Sequence, residues 1–184
     1  LNGMFAFAIY DEKRQELFCA RDRFGEKPFL FHNTEDSFAF ASEYKAILAL
    51  DGVSTKYSED RIMRFLYHPT RGLDDEEQTC FNDIKQIPPG HYLKLDIKTL
   101  KIRIKRYWDV IPNDKFSKMS KPEAQNYFRD LLTDSIKIRM RSDVPLGSCL
   151  SGGLDSSAIV CIANKLRKPN SSYEVFTGRF PDSE

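Results

Sequence analysis

Residues 147–150 form a short apolar run that passes directly into Ser151-Gly152-Gly153, and from Leu154 onward Ala158, Ile159, Ile162, Ala163 and Leu166 recur at helical spacing. This succession predicts a strand, a glycine turn and a helix. Lys168-Pro169-Asn170 closes the helix and residues 173–177 read as another strand, so the unit is a βαβ crossover with parallel pairing. Sheets of this kind bind ligands at the carboxyl ends of their strands. The glycine turn falls at that end.

Two glycines let a backbone come close to a polyanion, and the start of the following helix presents unpaired N–H groups and the positive end of the helix dipole. Phosphate is the natural ligand for such a turn. The hydroxyls of Ser151, Ser156 and Ser157 add donors, whereas Asp155 would repel phosphate unless a cation stood between them, which points to Mg²⁺. A nucleoside triphosphate with magnesium would satisfy all of these groups together. A Walker loop needs Gly-x-x-x-x-Gly-Lys followed by Ser or Thr, and no lysine stands there. Taken alone, the residues leave a competing reading open, in which Asp155 or Ser156 is only a helix cap.

The rest of the chain is organised differently. Residues 4–10 and 16–20 are apolar, aromatic-rich runs separated by Asp11-Glu12-Lys13-Arg14-Gln15, which predicts a hairpin. Two short strands are expected over 29–32 and 38–41. Ser42 is the expected cap of a helix running to Leu50 with Ala46, Ile47 and Leu50 on one face, and a second helix is expected over 59–67. The polar stretch 68–83, with Asp74-Asp75-Glu76-Glu77, reads as a loop. Pro88-Pro89-Gly90 then turns the chain into a strand over 91–95, and 100–107 reads as its return strand, with Lys101, Arg103 and Lys105 on a solvated face.

The segment 111–119 carries few signals of either period and contains Pro112, Asn113 and Asp114, so it is the expected linker. Beyond it Ser120 and Glu123 form a capping-box pattern with Pro122 in the first turn. Ala124, Tyr127, Phe128, Leu131, Leu132 and Ile136 trace a helical stripe, predicting a buried amphipathic helix that ends in Lys137, Arg139 and Arg141.

Composition removes several classes of function. Twenty-eight basic against 27 acidic residues leave a net charge of +1, so no global field favours nucleic acid. No apolar run approaches the roughly 20 residues of a membrane-spanning helix, and no charged-then-apolar leader opens the sequence, so an intracellular, cytoplasmic protein is expected. Cys19, Cys80, Cys149 and Cys161 lack paired ligand spacing, and Cys149 and Cys161 are expected to pack as small hydrophobes. His32, His68 and His91 stand apart and suggest packing or surface histidines rather than metal ligands.

The string Ser142-Asp143-Val144-Pro145-Leu146-Gly147-Ser148-Cys149-Leu150-Ser151-Gly152-Gly153-Leu154-Asp155-Ser156-Ser157 resembles the asparagine synthetase version of the pyrophosphate loop of N-type ATP pyrophosphatases. Upstream, Gly3-Met4-Phe5-Ala6-Phe7-Ala8-Ile9-Tyr10-Asp11, Ala20-Arg21-Asp22-Arg23-Phe24-Gly25-Glu26-Lys27-Pro28, Phe40-Ala41-Ser42-Glu43 and Ile87-Pro88-Pro89-Gly90-His91-Tyr92-Leu93 resemble, in order, the second half of that family's glutaminase domain. The resemblance implies an α+β part followed by an α/β part. These would be the C-terminal part of an Ntn-hydrolase-type glutaminase domain over 1–109, a linker over 110–119, and the start of a parallel-sheet ATP-pyrophosphatase domain over 120–184.

In that family one domain releases ammonia from glutamine, and the other uses ATP to activate aspartate as β-aspartyl-AMP, which ammonia converts to asparagine. Carried onto this chain, the resemblance implies that Ser151, Gly152, Gly153, Leu154, Asp155, Ser156 and Ser157 hold the pyrophosphate of ATP, with Asp155 beside Mg²⁺. Leu150 and the strand end Phe176-Thr177-Gly178 would line the adenine, with Gly178 in place of a larger aliphatic residue. It implies ATP and Mg²⁺ as cofactors and aspartate, glutamine or ammonia as further substrates, and it allows a homodimer.

Two departures carry expectations of their own. The family's glutaminase nucleophile is a cysteine whose own α-amine is its base, whereas residue 1 here is Leu1; the chain as written is not expected to hydrolyse glutamine. The sequence ends at Ser183-Glu184, before the family's second Ser-Gly segment and its aspartate-site residues, so an internal piece of a longer enzyme is expected. Two alternatives remain at this point: a related β-lactam-forming or peptide-modifying synthetase acting on another carboxylate, and a nucleotide-binding homologue without catalysis. Phosphoribosylpyrophosphate and sugar-phosphate amidotransferases share the glutaminase-like half but lack the 151–157 loop in this setting.

Overall fold

The computed structural model describes residues 1–72, 76–168 and 172–178. The chain divides into two compact units, Leu1–Ile111 and Pro112–Glu184.

In the first unit β1 (Ala6–Asp11) and β2 (Glu16–Arg21) form the expected hairpin, Ala6 facing Arg21 and Asp11 facing Glu16. Then come β3 (Leu30–Asn33), β4 (Phe38–Ala41), α1 (Tyr44–Leu48), α2 (Glu59–Tyr67), β5 (Lys85–Gln86), β6 (His91–Asp96) and β7 (Ile102–Arg106). They build two antiparallel sheets, ordered β1-β2-β6-β7 and β4-β3-β5. Strand alternation decides where the core lies. Phe31 of β3 joins Cys19, Phe29, Ile87, Leu93 and Leu95 in one buried cluster, which brings the two sheets together. Its neighbour Leu30 points the other way and meets Ile47 of α1 and Ile84.

Helix α1 is shorter than its sequence suggested. Glu43 rather than Ser42 occupies the N-cap, and its side chain makes no capping bond. The packed face is Tyr44, Ile47 and Leu48, set against Leu30 and Ile84, while Ala46 and Leu50 are exposed. Leu50 lies past the last turn, so helical periodicity no longer governs it. Helix α2 spans the expected residues, with Glu59 and Asp60 in its first turn complementing the dipole.

Much of the expected loop 68–83 is ordered; Asp74 and Asp75 lie outside the described residues. A 3₁₀ turn covers Pro69–Arg71, and isolated bridges pair Tyr57 with Phe81 and Gln78 with Lys85. The buried Thr79 donates its hydroxyl to the Ile84 carbonyl at 2.6 Å. Such pairings are set by distant residues and leave no local period to read.

A knot of polar groups closes the far end of β2. Asp22 is 1% exposed, and its carboxylate accepts the N–H groups of Phe24 (3.1 Å), Glu26 (3.0 Å) and Lys27 (2.9 Å). Burial alone would raise its pKa, but these bonds hold the carboxyl below its ordinary value of 3.8. The Arg21 guanidinium donates to the Lys27, Gly25 and Ile87 carbonyls and to the Gln86 side chain, all within 2.9 Å. The Tyr107 hydroxyl donates to the Arg21 carbonyl at 2.8 Å. Burial pushes that phenol up, so it remains a donor.

In the second unit α3 (Asp114–Ser117) interrupts the expected linker. Asn113 caps it by accepting the Lys115 N–H at 3.0 Å, and Phe116 packs on Tyr127 with ring centroids 5.3 Å apart. Helix α4 (Lys121–Arg139) begins at the capping residues read from the sequence. The Glu123 carboxylate accepts from the Ser120 N–H at 2.8 Å and the Ser120 hydroxyl at 2.6 Å. Those bonds, the hydroxyl first, hold Glu123 below the usual carboxylate range.

The apolar stripe of α4 is mostly uncovered, contrary to expectation. Ile136 is buried, but Phe128 is 65% and Leu131 52% exposed. Helix α5 (Leu154–Leu166) packs against α4, while among the described residues β8 (Gly147–Cys149) and β9 (Glu174–Phe176) form a two-stranded sheet. That sheet is too small to shield a 19-residue helix along its length. No helix among the described residues is long and apolar enough to cross a membrane.

Candidate functional site

Strands β8 and β9 pair in parallel, with Gly147 opposite Glu174, Ser148 opposite Val175 and Cys149 opposite Phe176. The expected βαβ crossover is therefore present. The pairing continues beyond the strands: the Leu150 N–H donates to Phe176 O at 2.8 Å, and the Thr177 hydroxyl donates to Leu150 O at 3.1 Å. At the other end the Tyr173 and Ser148 hydroxyls share a hydrogen bond. The Leu150 and Thr177 bonds fix the carboxyl ends of both strands, and the loop departs from that end of β8. Thr177 belonged to the expected strand end, but sequence reading gave Ser148 and Tyr173 no role. Only the fold, which brings the residue just before β9 within reach of a β8 hydroxyl, exposes their contribution.

Gly147 is required for this close approach. A Cβ there would stand 2.9 Å from Glu174 O and 2.9 Å from a ring carbon of Phe176. Gly147→Ala should cost about 1–3 kcal/mol, the range for overpacking a tight contact. Gly178→Ala, which meets nothing within 4 Å, should stay within about 0.5 kcal/mol. Thermal denaturation of the two variants side by side measures the difference; equal midpoints would contradict the close approach.

From Leu150 the chain passes through Ser151 and turns at Gly152, whose φ of +83° lies in the left-handed region that side chains disfavour. Gly153 takes the N-cap of α5, and Asp155 stands in the first turn. The amides of Leu154, Asp155 and Ser156 precede the first intrahelical bond, so they face outward with the dipole behind them. Ser157 N–H makes that first bond, to Gly153 O at 3.1 Å. The Ser157 and Ser156 hydroxyls donate to the same carbonyl at 2.8 and 3.2 Å, and the Ser151 and Ser156 hydroxyls are 3.1 Å apart. Ser151, Gly152, Gly153, Leu154 and Asp155 are exposed.

The structure thus brings together on one edge Leu150, the seven loop residues Ser151, Gly152, Gly153, Leu154, Asp155, Ser156 and Ser157, and the strand end before Gly178. The Asp155 carboxylate has no hydrogen-bond or ion-pair partner among the described residues. No group of three metal-ligating side chains occurs among them either.

Cysteine placement departs from the expectation at Cys149 and Cys161. Cys149 and Cys161 are exposed, whereas Cys19 and Cys80 are buried. A three-residue strand in a two-stranded sheet leaves Cys149 without a covering layer. Burial pushes the Cys19 thiol up to about 12, so it stays protonated and unreactive. His32 and His91 use Nδ1 in hydrogen bonds with the Asp83 and Pro89 carbonyls, both at 2.7 Å. Lys137 and Arg139 occupy the last turn of α4, where Arg139 donates to the Ser135 carbonyl and hydroxyl.

Residues 1–108 match the glutamine amidotransferase domain family, and residues 127–184 match the asparagine synthase family. The chain belongs to the glutamine amidotransferase domain family, within the asparagine synthetase group in which that domain precedes an asparagine synthase domain. It is similar to asparagine synthetase [glutamine-hydrolyzing] 3 of Bacillus subtilis, with 42% identity over 89% of this chain and 26% of that protein. It is also similar to a putative asparagine synthetase [glutamine-hydrolyzing] 2 of Methanocaldococcus jannaschii, at 38% over 86% of this chain and 30% of that one. Amidase chry2 of Gibberella zeae is 32% identical over 100% of this chain and 26% of its own length. The chain thus spans about a quarter to a third of these curated relatives. Among solved structures, glutamine phosphoribosylpyrophosphate amidotransferase from B. subtilis aligns with a TM-score of 0.37 at 15% identity, over 94% of this chain and 32% of that one. That likeness is too low to carry an argument.

Proposed function

We propose that this chain is part of a glutamine-dependent asparagine synthetase, and that the 151–157 loop binds the pyrophosphate of ATP in it. The observation that carries the reading is the loop's position: a positive-φ glycine and an outward-facing helix start, at the carboxyl end of a parallel strand, inside the segment that matches the asparagine synthase family.

In the reaction, a side-chain carboxylate oxygen of aspartate attacks the α-phosphorus of ATP and pyrophosphate leaves, giving β-aspartyl-AMP. Ammonia from glutamine then attacks the activated carbonyl, AMP departs and asparagine forms. This chain would contribute the grip on the leaving pyrophosphate, through the amides of Leu154, Asp155 and Ser156 and hydroxyls of the loop. Leu150 and the strand end through Gly178 would flank the adenine, and the open space at Gly178 fits a loosely packed ring.

The exposed, unpartnered carboxylate of Asp155 fits a magnesium ion that arrives with the triphosphate. Without a ligand cluster among the described residues, the nucleotide's oxygens would complete the shell. Bound there, magnesium supplies neutralisation of phosphate charge. The reading further takes aspartate, glutamine and ATP as substrates, a cytoplasmic setting and a homodimer as the assembly to test.

The deciding experiment supplies the full-length protein with ATP, Mg²⁺, aspartate and glutamine. AMP, pyrophosphate and asparagine should appear in equal amounts; no release of AMP and pyrophosphate would remove the assignment. The amidase-named relative, aligned along the whole chain, gives weak support to a second reading in which another carboxylate is activated. Pyrophosphate release with a different acid, and none with aspartate, would select it.

A further inference from the structure

The loop's three serines are not equivalent. Gly153 O receives the Ser157 N–H at 3.1 Å, the Ser157 hydroxyl at 2.8 Å and the Ser156 hydroxyl at 3.2 Å. A carbonyl oxygen offers two lone pairs, so the longest of these three bonds is the one most easily given up. Ser157 holds the carbonyl twice, from backbone and side chain, in the pattern by which serine bonds back to the residue four before it. Ser156 stands between that carbonyl and the Ser151 hydroxyl, 3.1 Å away. It can rotate its proton outward without releasing the turn.

Resting on the pyrophosphate reading above, we propose that Ser157 is a positioning residue that fixes the Gly153 carbonyl, and with it the Gly152-Gly153 turn, rather than a ligand of phosphate. The hydroxyl that meets the anion is that of Ser156, with Ser151 following it. Because Gly152 sits at φ +83°, the turn depends on what anchors its far side. The anchor is the shortest bond in the loop, from Ser157 to Gly153.

Ser157→Thr and Ser157→Val test this in the full-length protein, because the two side chains share a shape and a stiff χ1 and differ in the hydroxyl. Hydrogen exchange at the residue-157 amide, the loop amide that is bonded to Gly153 O, measured without any ligand and relative to its intrinsic rate, should be about 10-fold faster in Ser157→Val than in Ser157→Thr, the effect of losing one hydrogen bond. Ser156→Ala should leave that exchange within about twofold. Pyrophosphate affinity should fall about 10-fold or more in Ser156→Ala, and only about twofold to fivefold in Ser157→Val, with Ser157→Thr close to the unaltered protein. Equal exchange in the Thr and Val variants would overturn the proposal, as would a loss of pyrophosphate affinity in Ser157→Val as large as in Ser156→Ala. If pyrophosphate fails to slow exchange at 152–157 in the unaltered protein, it is the nucleotide reading that fails; the ligand-free comparison still decides the anchoring role.

Discussion

Pyrophosphate release by the full-length protein should fall by about 100-fold to 1000-fold when Asp155 is replaced by alanine, the loss typical of removing one electrostatic partner of a developing charge. The fold should barely change. Asp155 is exposed and makes no bond or ion pair among the described residues, so its contribution to stability is its favourable placement at the start of α5, worth about 0.3–1 kcal/mol. The sign of the effect on binding should depend on the metal. Without Mg²⁺ the carboxylate repels pyrophosphate, so Asp155→Asn should bind it more tightly than the unaltered protein. With Mg²⁺ present the order should reverse, because the cation needs the carboxylate. Titration calorimetry with and without the metal measures both arms, and unchanged turnover in Asp155→Ala would sink the magnesium role.

Asp22→Ala should be the most damaging single change to stability, at about 3–5 kcal/mol. Three backbone N–H groups converge on that carboxylate in a site closed to water, and removing it leaves buried donors without acceptors, each costing about 1–3 kcal/mol. For a unit of this size such a loss should lower the melting midpoint by about 10–20 °C. The pH dependence follows from linkage. The folded pKa of Asp22 lies below the ordinary 3.8, so its contribution is fully present above the unfolded value and is lost as pH falls through the folded one. The stability gap between the unaltered protein and Asp22→Ala should therefore be constant from neutral pH to about pH 5 and narrow below about pH 4. A gap that persisted unchanged at pH 2.5 would show that the ionised form is not what the turn requires.

What could be read in advance was local. Ser120 and Glu123 cap α4 because both partners lie within one turn, and the hairpin of β1 and β2 forms because alternation and its polar turn agree. The strand, glycine turn and helix around Ser151 were legible for the same reason: each element follows the last in sequence. The Arg21–Gln86 and Asp22–Lys27 bonds were not, since a buried arginine or aspartate looks like any surface charge until its acceptors are placed. The stripe on α4 misled in the opposite direction. Tyr127, Phe128 and Leu131 have the period of a buried face, but period reports which residues share a side and nothing about what lies against it. Cys149 went wrong because a three-residue strand is too short for its alternation to show which face is covered.

The bond from Tyr107 to the Arg21 carbonyl joins residues 86 positions apart, and this gives it a kinetic meaning. Closing so long a loop is entropically costly, so the contact should form only after the hairpins and their shared core have condensed. Interactions made late contribute little to the speed of folding and much to the lifetime of the native state. The exit of β7 is thus held by a latch that sets how rarely the first unit opens, leaving how quickly it assembles to the short-range turns.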